Sequence, residues 1–164
     1  MHRADYRLFP DSRLICIIYS GDIDGNEIAD HLRKVIISTE NIQSWNFLID
    51  LRSFIGNIHH SALERLARLT NEKSGKGPLE RTLEKRAGRV AVVSYNAGQQ
   101  FMVNLARVYI RGYDLRYFSD MRQGYAWAAG RDALPADMRS LDWHLGKGLP
   151  RRPADPPISP VTDD

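Results

Sequence analysis

Four times along this chain an apolar run rich in β-branched residues gives way to the chemistry of a helix start: Asp24 with Glu27, Ser61 with Glu64, Asn96 with Gln99, and Asp120 with Gln123. In each pair the short side chain is placed to accept a backbone N–H of the first turn, and the longer one, three residues on, to reach back to the cap's own N–H. One such pair says little. Four in succession, each just after a strand-like run, describe strands alternating with helices, and in such proteins the binding loops gather at the carboxyl ends of the strands.

The runs themselves set the expected boundaries. Tyr6 to Phe9 and Arg13 to Tyr19 flank Pro10-Asp11-Ser12, residues suited to a tight turn, and form a hairpin. A helix after Asp24 carries Ile28, Leu32, Val35 and Ile36 on one stripe. A strand from Trp45 to Leu51 leads through a loop, Arg52 to His60, into a helix from Ala62 to about Lys73 with Leu63, Leu66, Ala67 and Thr70 inward. Ser74-Gly75-Lys76-Gly77-Pro78 reads as a flexible loop. Arg89 to Tyr95 is the most strand-like run and is expected to be buried. A helix after Asn96 turns Met102, Leu105, Ala106 and Tyr109 inward and ends by Gly112; Leu115 to Phe118 is the last strand, and a helix from Met121 to Ala129 stops at Gly130, anchored by Trp127.

At 164 residues, 43% hydrophobic and 26% charged, the chain suits one core. Residues 1–130 are expected to form the domain. Beyond them lie six of the eight prolines and little amphipathic period, so 131–164 reads as an extended or disordered tail, with Leu141, Trp143 and Leu145 as its apolar exceptions. The single cysteine, Cys16, sits in an apolar run and reads as a buried structural thiol. With no disulfide framework, no signal peptide and no long apolar span, the expected location is the cytoplasm. Basic residues gather between Arg65 and Arg89, but Glu72, Glu80 and Glu84 interleave with them and no aromatic stacks among them; nucleic acid is not expected as a partner.

The succession of Ser20-Gly21-Asp22-Ile23, an amphipathic helix, Phe47-Leu48-Ile49-Asp50-Leu51-Arg52, a second helix, Arg89-Val90-Ala91-Val92-Val93, a third helix, and a short strand feeding a Trp-containing helix resembles the SpoIIAA-like branch of the STAS domains over residues 5–130. The resemblance implies a mixed, largely parallel α/β sheet of four to five strands with an N-terminal hairpin and about four helices. It also implies regulation by binding protein partners, or carriage of apolar small molecules. Bacterial antagonists of this branch place a phosphorylatable serine in an Asp-Ser-Ser-Gly turn. Here that turn reads Ile58-His59-His60-Ser61-Ala62, so Ser61 is the phosphorylation candidate, without the Asp and Gly, beside its simpler reading as a helix cap.

No set of residues announces catalysis. His59 and His60 lack a further ligand cluster, so no metal is expected; Asp50 lacks the acidic partners of a phospho-accepting site and is better placed to pair with Arg52, and no nucleophile elbow, phosphate loop or dinucleotide fingerprint occurs. The expectation is a non-enzymatic domain without cofactor. Two readings stay open: a regulatory surface on the rim formed by Asp22, Asp24, Asn57, His59, His60, Ser61 and Asn96, or an apolar pocket between sheet and helices lined by Phe47, Phe54, Ile55, Phe101, Met102 and Tyr109. A protein partner, an apolar small molecule and self-association into a homodimer all remain open at this point.

Overall fold

The computed structural model describes residues 3–72, 88–110 and 112–130. The Ser74 to Pro78 segment and the stretch 131–164 lie outside them. In chain order the elements are β1 (Arg3–Phe9), β2 (Leu14–Gly21), α1 (Gly25–Ser38), β3 (Asn46–Phe54), α2 (His60–Glu72), β4 (Gly88–Val93), α3 (Ala97–Tyr109), β5 (Tyr113–Phe118) and α4 (Met121–Ala129). The fold class expected from the sequence is the one observed: a five-stranded sheet with strand order β1-β2-β3-β4-β5, antiparallel only between β1 and β2 and parallel elsewhere.

A strand order that never reverses has a physical consequence. Parallel connections are right-handed, so α1, α2 and α3 must all fall on the same face of the sheet. There they cover Ile15, Ile17 and Tyr19 of β2, Phe47 and Leu51 of β3, and Val90 and Val92 of β4. The alternate residues Leu14, Cys16, Ile18, Leu48, Ala91 and Val93 point to the second face, where Tyr125 and Ala128 of α4 pack. Central strands covered on both sides explain why β2 and β4 read as unbroken apolar runs. Cys16 is buried among these second-face residues. Trp127 stacks its ring 5.5 Å from that of Phe118, with the Arg116 guanidinium 4.9 Å above it. Gly124 lets α4 come this near, since a Cβ there would lie 2.8 Å from a Val93 methyl.

Strand β3 runs three residues past its expected end because it carries a bulge. Ile18 pairs with Asp50 but Ser20 pairs with Ser53, so β3 has one residue more than β2 across that interval. An extra residue in a ladder leaves backbone groups without their usual strand partner. Here the Asp50 carboxylate accepts the Arg52 backbone N–H at 3.0 Å and also both arms of its guanidinium, Nε at 3.0 Å and Nη2 at 2.8 Å. Both side chains are almost fully enclosed. The Asp50 and Arg52 pairing expected from their shared strand face is therefore also the device that closes the bulge.

Three of the four expected caps are present. Asp24 accepts from the Asn26 N–H at 2.7 Å, Asn96 from Gly98 at 2.8 Å and Asp120 from Gln123 at 2.9 Å. Ser61 is the exception. Helix α2 begins at His60, and the His59 carbonyl accepts the N–H groups of Ala62 and Leu63, so Ser61 lies inside the first turn and does not cap it. The final helix ends as expected at Gly130, whose φ of 69° is the left-handed stop.

Candidate functional site

Helices α1, α2 and α3 do not close completely over the first face of the sheet. Between them lies a cavity of about 130 Å³. Its floor is Tyr19, Phe47, Ile49, Leu51, Val90, Val92 and Leu115, and its roof includes Ile28, Leu32, Leu63, Leu66, Met102 and Ala106. The space has a local origin. Ala106 is one of the side chains that α3 buries, with Gln99 and Val103, and its methyl group takes up little of the space between the helices and the sheet. Ile49, in the middle strand of five, is only partly buried for the same reason.

The wall is aliphatic and aromatic except for a few neutral polar groups. Tyr19 is fully buried, and its hydroxyl is 3.0 Å from Nδ1 of His31 and 3.5 Å from the Ile28 carbonyl. Burial raises the Tyr19 phenol well above the ordinary tyrosine range, so it stays neutral. At the carboxyl end of the strands, Gln99 enters the wall. Its amide oxygen accepts from the Ser94 hydroxyl and its amide nitrogen donates to the Phe54 carbonyl at 3.2 Å. Tyr117 donates to the Ser94 carbonyl at 2.7 Å and completes the network. Gln99 was expected to reach back to its cap, Asn96; a 7% exposed side chain tied to two strand ends does different work. No helix-cap pattern distinguishes the two roles, because the Phe54 carbonyl is supplied by a strand 45 residues away.

The expected pocket residues separate. Phe47 and Met102 line the cavity. Phe54 is buried in the same cluster without being a lining side chain. Ile55 follows the last residue of β3 and is 77% exposed, and Phe101 faces outward from α3 at 66%. Tyr109 is on the rim of the helical layer, where its hydroxyl meets Nε2 of His60 at 2.7 Å. Sequence reasoning missed Tyr19, Ile49 and Gln99 as lining residues. The alternation of β2 and β3, which puts Tyr19, Phe47 and Ile49 on one face, is the signal that finds two of them.

The rim residues are nearer to the expected arrangement. Asp22 and Asp24 lie in the β2–α1 turn, Asn57 and His59 in the β3–α2 loop, His60 and Ser61 in the first turn of α2, and Asn96 at the α3 cap, all exposed at the carboxyl ends of the strands. The first two segments touch at Gly56, where a Cβ would collide with the Ile23 carbonyl oxygen. His60 also lies 3.6 Å from Glu64, one turn along α2. Among the described residues, no group of three or more His, Cys, Asp or Glu side chains is placed to hold a metal ion. No helix among them is long and apolar enough to cross a membrane.

Among solved structures the chain is similar to an uncharacterised protein of the DUF3478 family from Shewanella loihica PV-4, described as having a SpoIIAA-like fold. The two share 16% identity at a TM-score of 0.47, over 78% of this chain and 95% of that one. No family model and no curated protein matches the chain.

Proposed function

We propose that this is a non-enzymatic domain that carries or senses a small apolar molecule held between the sheet and helices α1, α2 and α3. The observation that supports this reading is the cavity of about 130 Å³ with an almost wholly apolar wall. A ligand that fills it takes its own apolar surface and that of the wall out of water, which is favourable by about 25 cal/mol per Å². An apolar cavity of about 150 Å³ admits a single benzene ring, which sets the scale of the ligand. Native and denaturing mass spectrometry of protein purified from its own cells tests the reading. A small mass present in the native spectrum and lost on denaturation supports it. Protein that is bare in both, and that takes up no small aromatic probe, refutes it.

A second reading, regulation by reversible protein contact at the rim, draws support from Ile55 and Tyr95, two large apolar side chains exposed beside the polar rim residues. Under it, Ser61→Asp or His60→Ala alters partner capture and leaves the melting temperature unchanged. Unchanged capture in both variants counts against it.

A further inference from the structure

We infer that Gln99 supplies the cavity with one directed hydrogen-bond donor, so that the preferred ligand is a small, neutral, largely apolar molecule bearing a single acceptor oxygen, such as an aryl ketone or aldehyde. This deepens the ligand-binding reading above and rests on it.

The orientation of the amide is fixed by its partners. The Phe54 carbonyl can only accept, so the Gln99 nitrogen faces it at 3.2 Å. The amide oxygen is thereby turned to Ser94, whose hydroxyl donates to it while its oxygen accepts the Asn96 N–H at 3.0 Å. A primary amide nitrogen carries two hydrogens, and the Phe54 carbonyl takes one. The other has no acceptor in any hydrogen bond among the described residues, in a side chain that is 7% exposed and lines the cavity. Buried donors find partners in native proteins, and Gln99 belongs to the cavity wall, so an acceptor held in the cavity is the partner assigned to this hydrogen.

The rest of the wall narrows the ligand further. Each lining side chain is apolar or neutral, so a charge on the ligand would be stripped of water with no countercharge beside it. The Tyr19 hydroxyl is engaged by His31 and Ile28. Tyr113 is the first residue of β5 and therefore lies at the opposite, amino-terminal end of the parallel strands. The Gln99 hydrogen is a donor at the carboxyl end of the strands, and it selects an acceptor at the matching end of an apolar molecule.

The test uses a pair of equal shape, acetophenone and α-methylstyrene, which differ in having a carbonyl oxygen where the other has a methylene. Affinities for the full chain are measured by NMR titration in the unaltered protein and in Gln99→Met, where the properties of each compound in water cancel. The expected result is a ratio of ketone to alkene affinity that falls about five-fold in Gln99→Met, the net size of one neutral hydrogen bond. The Gln99 side-chain amide proton is expected to move downfield with the ketone and not with the alkene. Should Gln99→Met fail to fold, that amide shift in the unaltered protein decides by itself. An unchanged ratio with an unmoved amide signal would overturn the role of Gln99 while leaving the apolar site standing. Binding of neither compound would overturn both.

Discussion

The hydroxyl of Tyr19 and Nδ1 of His31 lie 3.0 Å apart, which joins a fully buried residue of β2 to a half-buried position on α1. Burial holds the His31 imidazole below the ordinary histidine range; the Asp5 carboxylate opposes that shift and Lys34 adds to it. A histidine whose folded pKa is lowered binds fewer protons in the native state than in the unfolded chain. Its contribution to stability is therefore complete above the unfolded pKa of about 6.5 and is lost as pH falls from there through the folded value. Protonation also makes Nδ1 a compulsory donor, which turns the Tyr19 hydrogen toward the Ile28 carbonyl at the longer distance of 3.5 Å. Urea midpoints between pH 7 and pH 5 are expected to fall more steeply for the unaltered protein than for His31→Gln. Parallel slopes would remove His31 from the account.

Asp50 and Arg52 make a different kind of prediction. Removing one member of an enclosed ion pair takes from the other charge the partner that offsets its burial, at a cost of about 3–5 kcal/mol. Asp50→Ala also takes away the acceptor of the bulge N–H. Chemical denaturation is expected to show a loss of that size for Asp50→Ala. The double change Asp50→Leu with Arg52→Leu is expected to recover part of it but not all, because the bulge N–H still lacks its acceptor. Full recovery would show that the carboxylate does nothing for the backbone.

Ala106→Phe places a ring inside the cavity between the helices and the sheet. Uptake of a small aromatic probe is expected to drop at least ten-fold, with no fall in melting temperature, because the added side chain occupies space that is already open. Overpacking of a filled core costs about 1–3 kcal/mol instead. A clear loss of stability with unchanged uptake would mean that the space is not where the probe resides.

Gly56→Ala is expected to destabilise by about 1–3 kcal/mol, since its methyl collides with the Ile23 backbone rather than with a side chain that can rotate away. The same substitution should broaden or shift the amide signals of both Asp24 and Asn57, which lie on the two segments it forces apart. Changes confined to the β3–α2 loop would show that the segments move independently.

What the sequence disclosed and what it concealed divide along the range of the interactions. Asp24, Asn96 and Asp120 were readable as caps because each accepts a hydrogen bond from a residue two or three positions away. The alternation of strands and helices followed from the serial pattern of elements, and the burial of β4 from its unbroken apolar run, whereas the strand order is visible only in the structure. The cap at Ser61 was misread because the helix already begins at His60, with the His59 carbonyl two positions before Ser61 taking the first N–H groups, and any residue carries such a carbonyl. Arg52 and Ser53 looked like loop because polar residues rarely sit within a covered strand, and a bulge with its own ion pair has no local pattern. Gln99 has the composition of a capping arm, but its partners come from the ends of β3 and β4. The cavity was anticipated as a class of site and only partly in its membership, since gaps between helices depend on how three elements diverge.

That the second face of the sheet is covered by a helix made after all five strands bears on how the chain emerges from synthesis. Each strand through β5 pairs with the one before it, so the sheet can be laid down in order from the hairpin onward, and the three helices on the first face close over it as they appear. Leu14, Cys16, Ile18, Leu48, Ala91 and Val93 have no such early shelter, because Tyr125 and Ala128 arrive last. Until then the growing protein presents a continuous oily surface to its surroundings. Its moment of greatest exposure to aggregation therefore falls before α4 docks, and Gly124 gives that helix the room to settle against Val93.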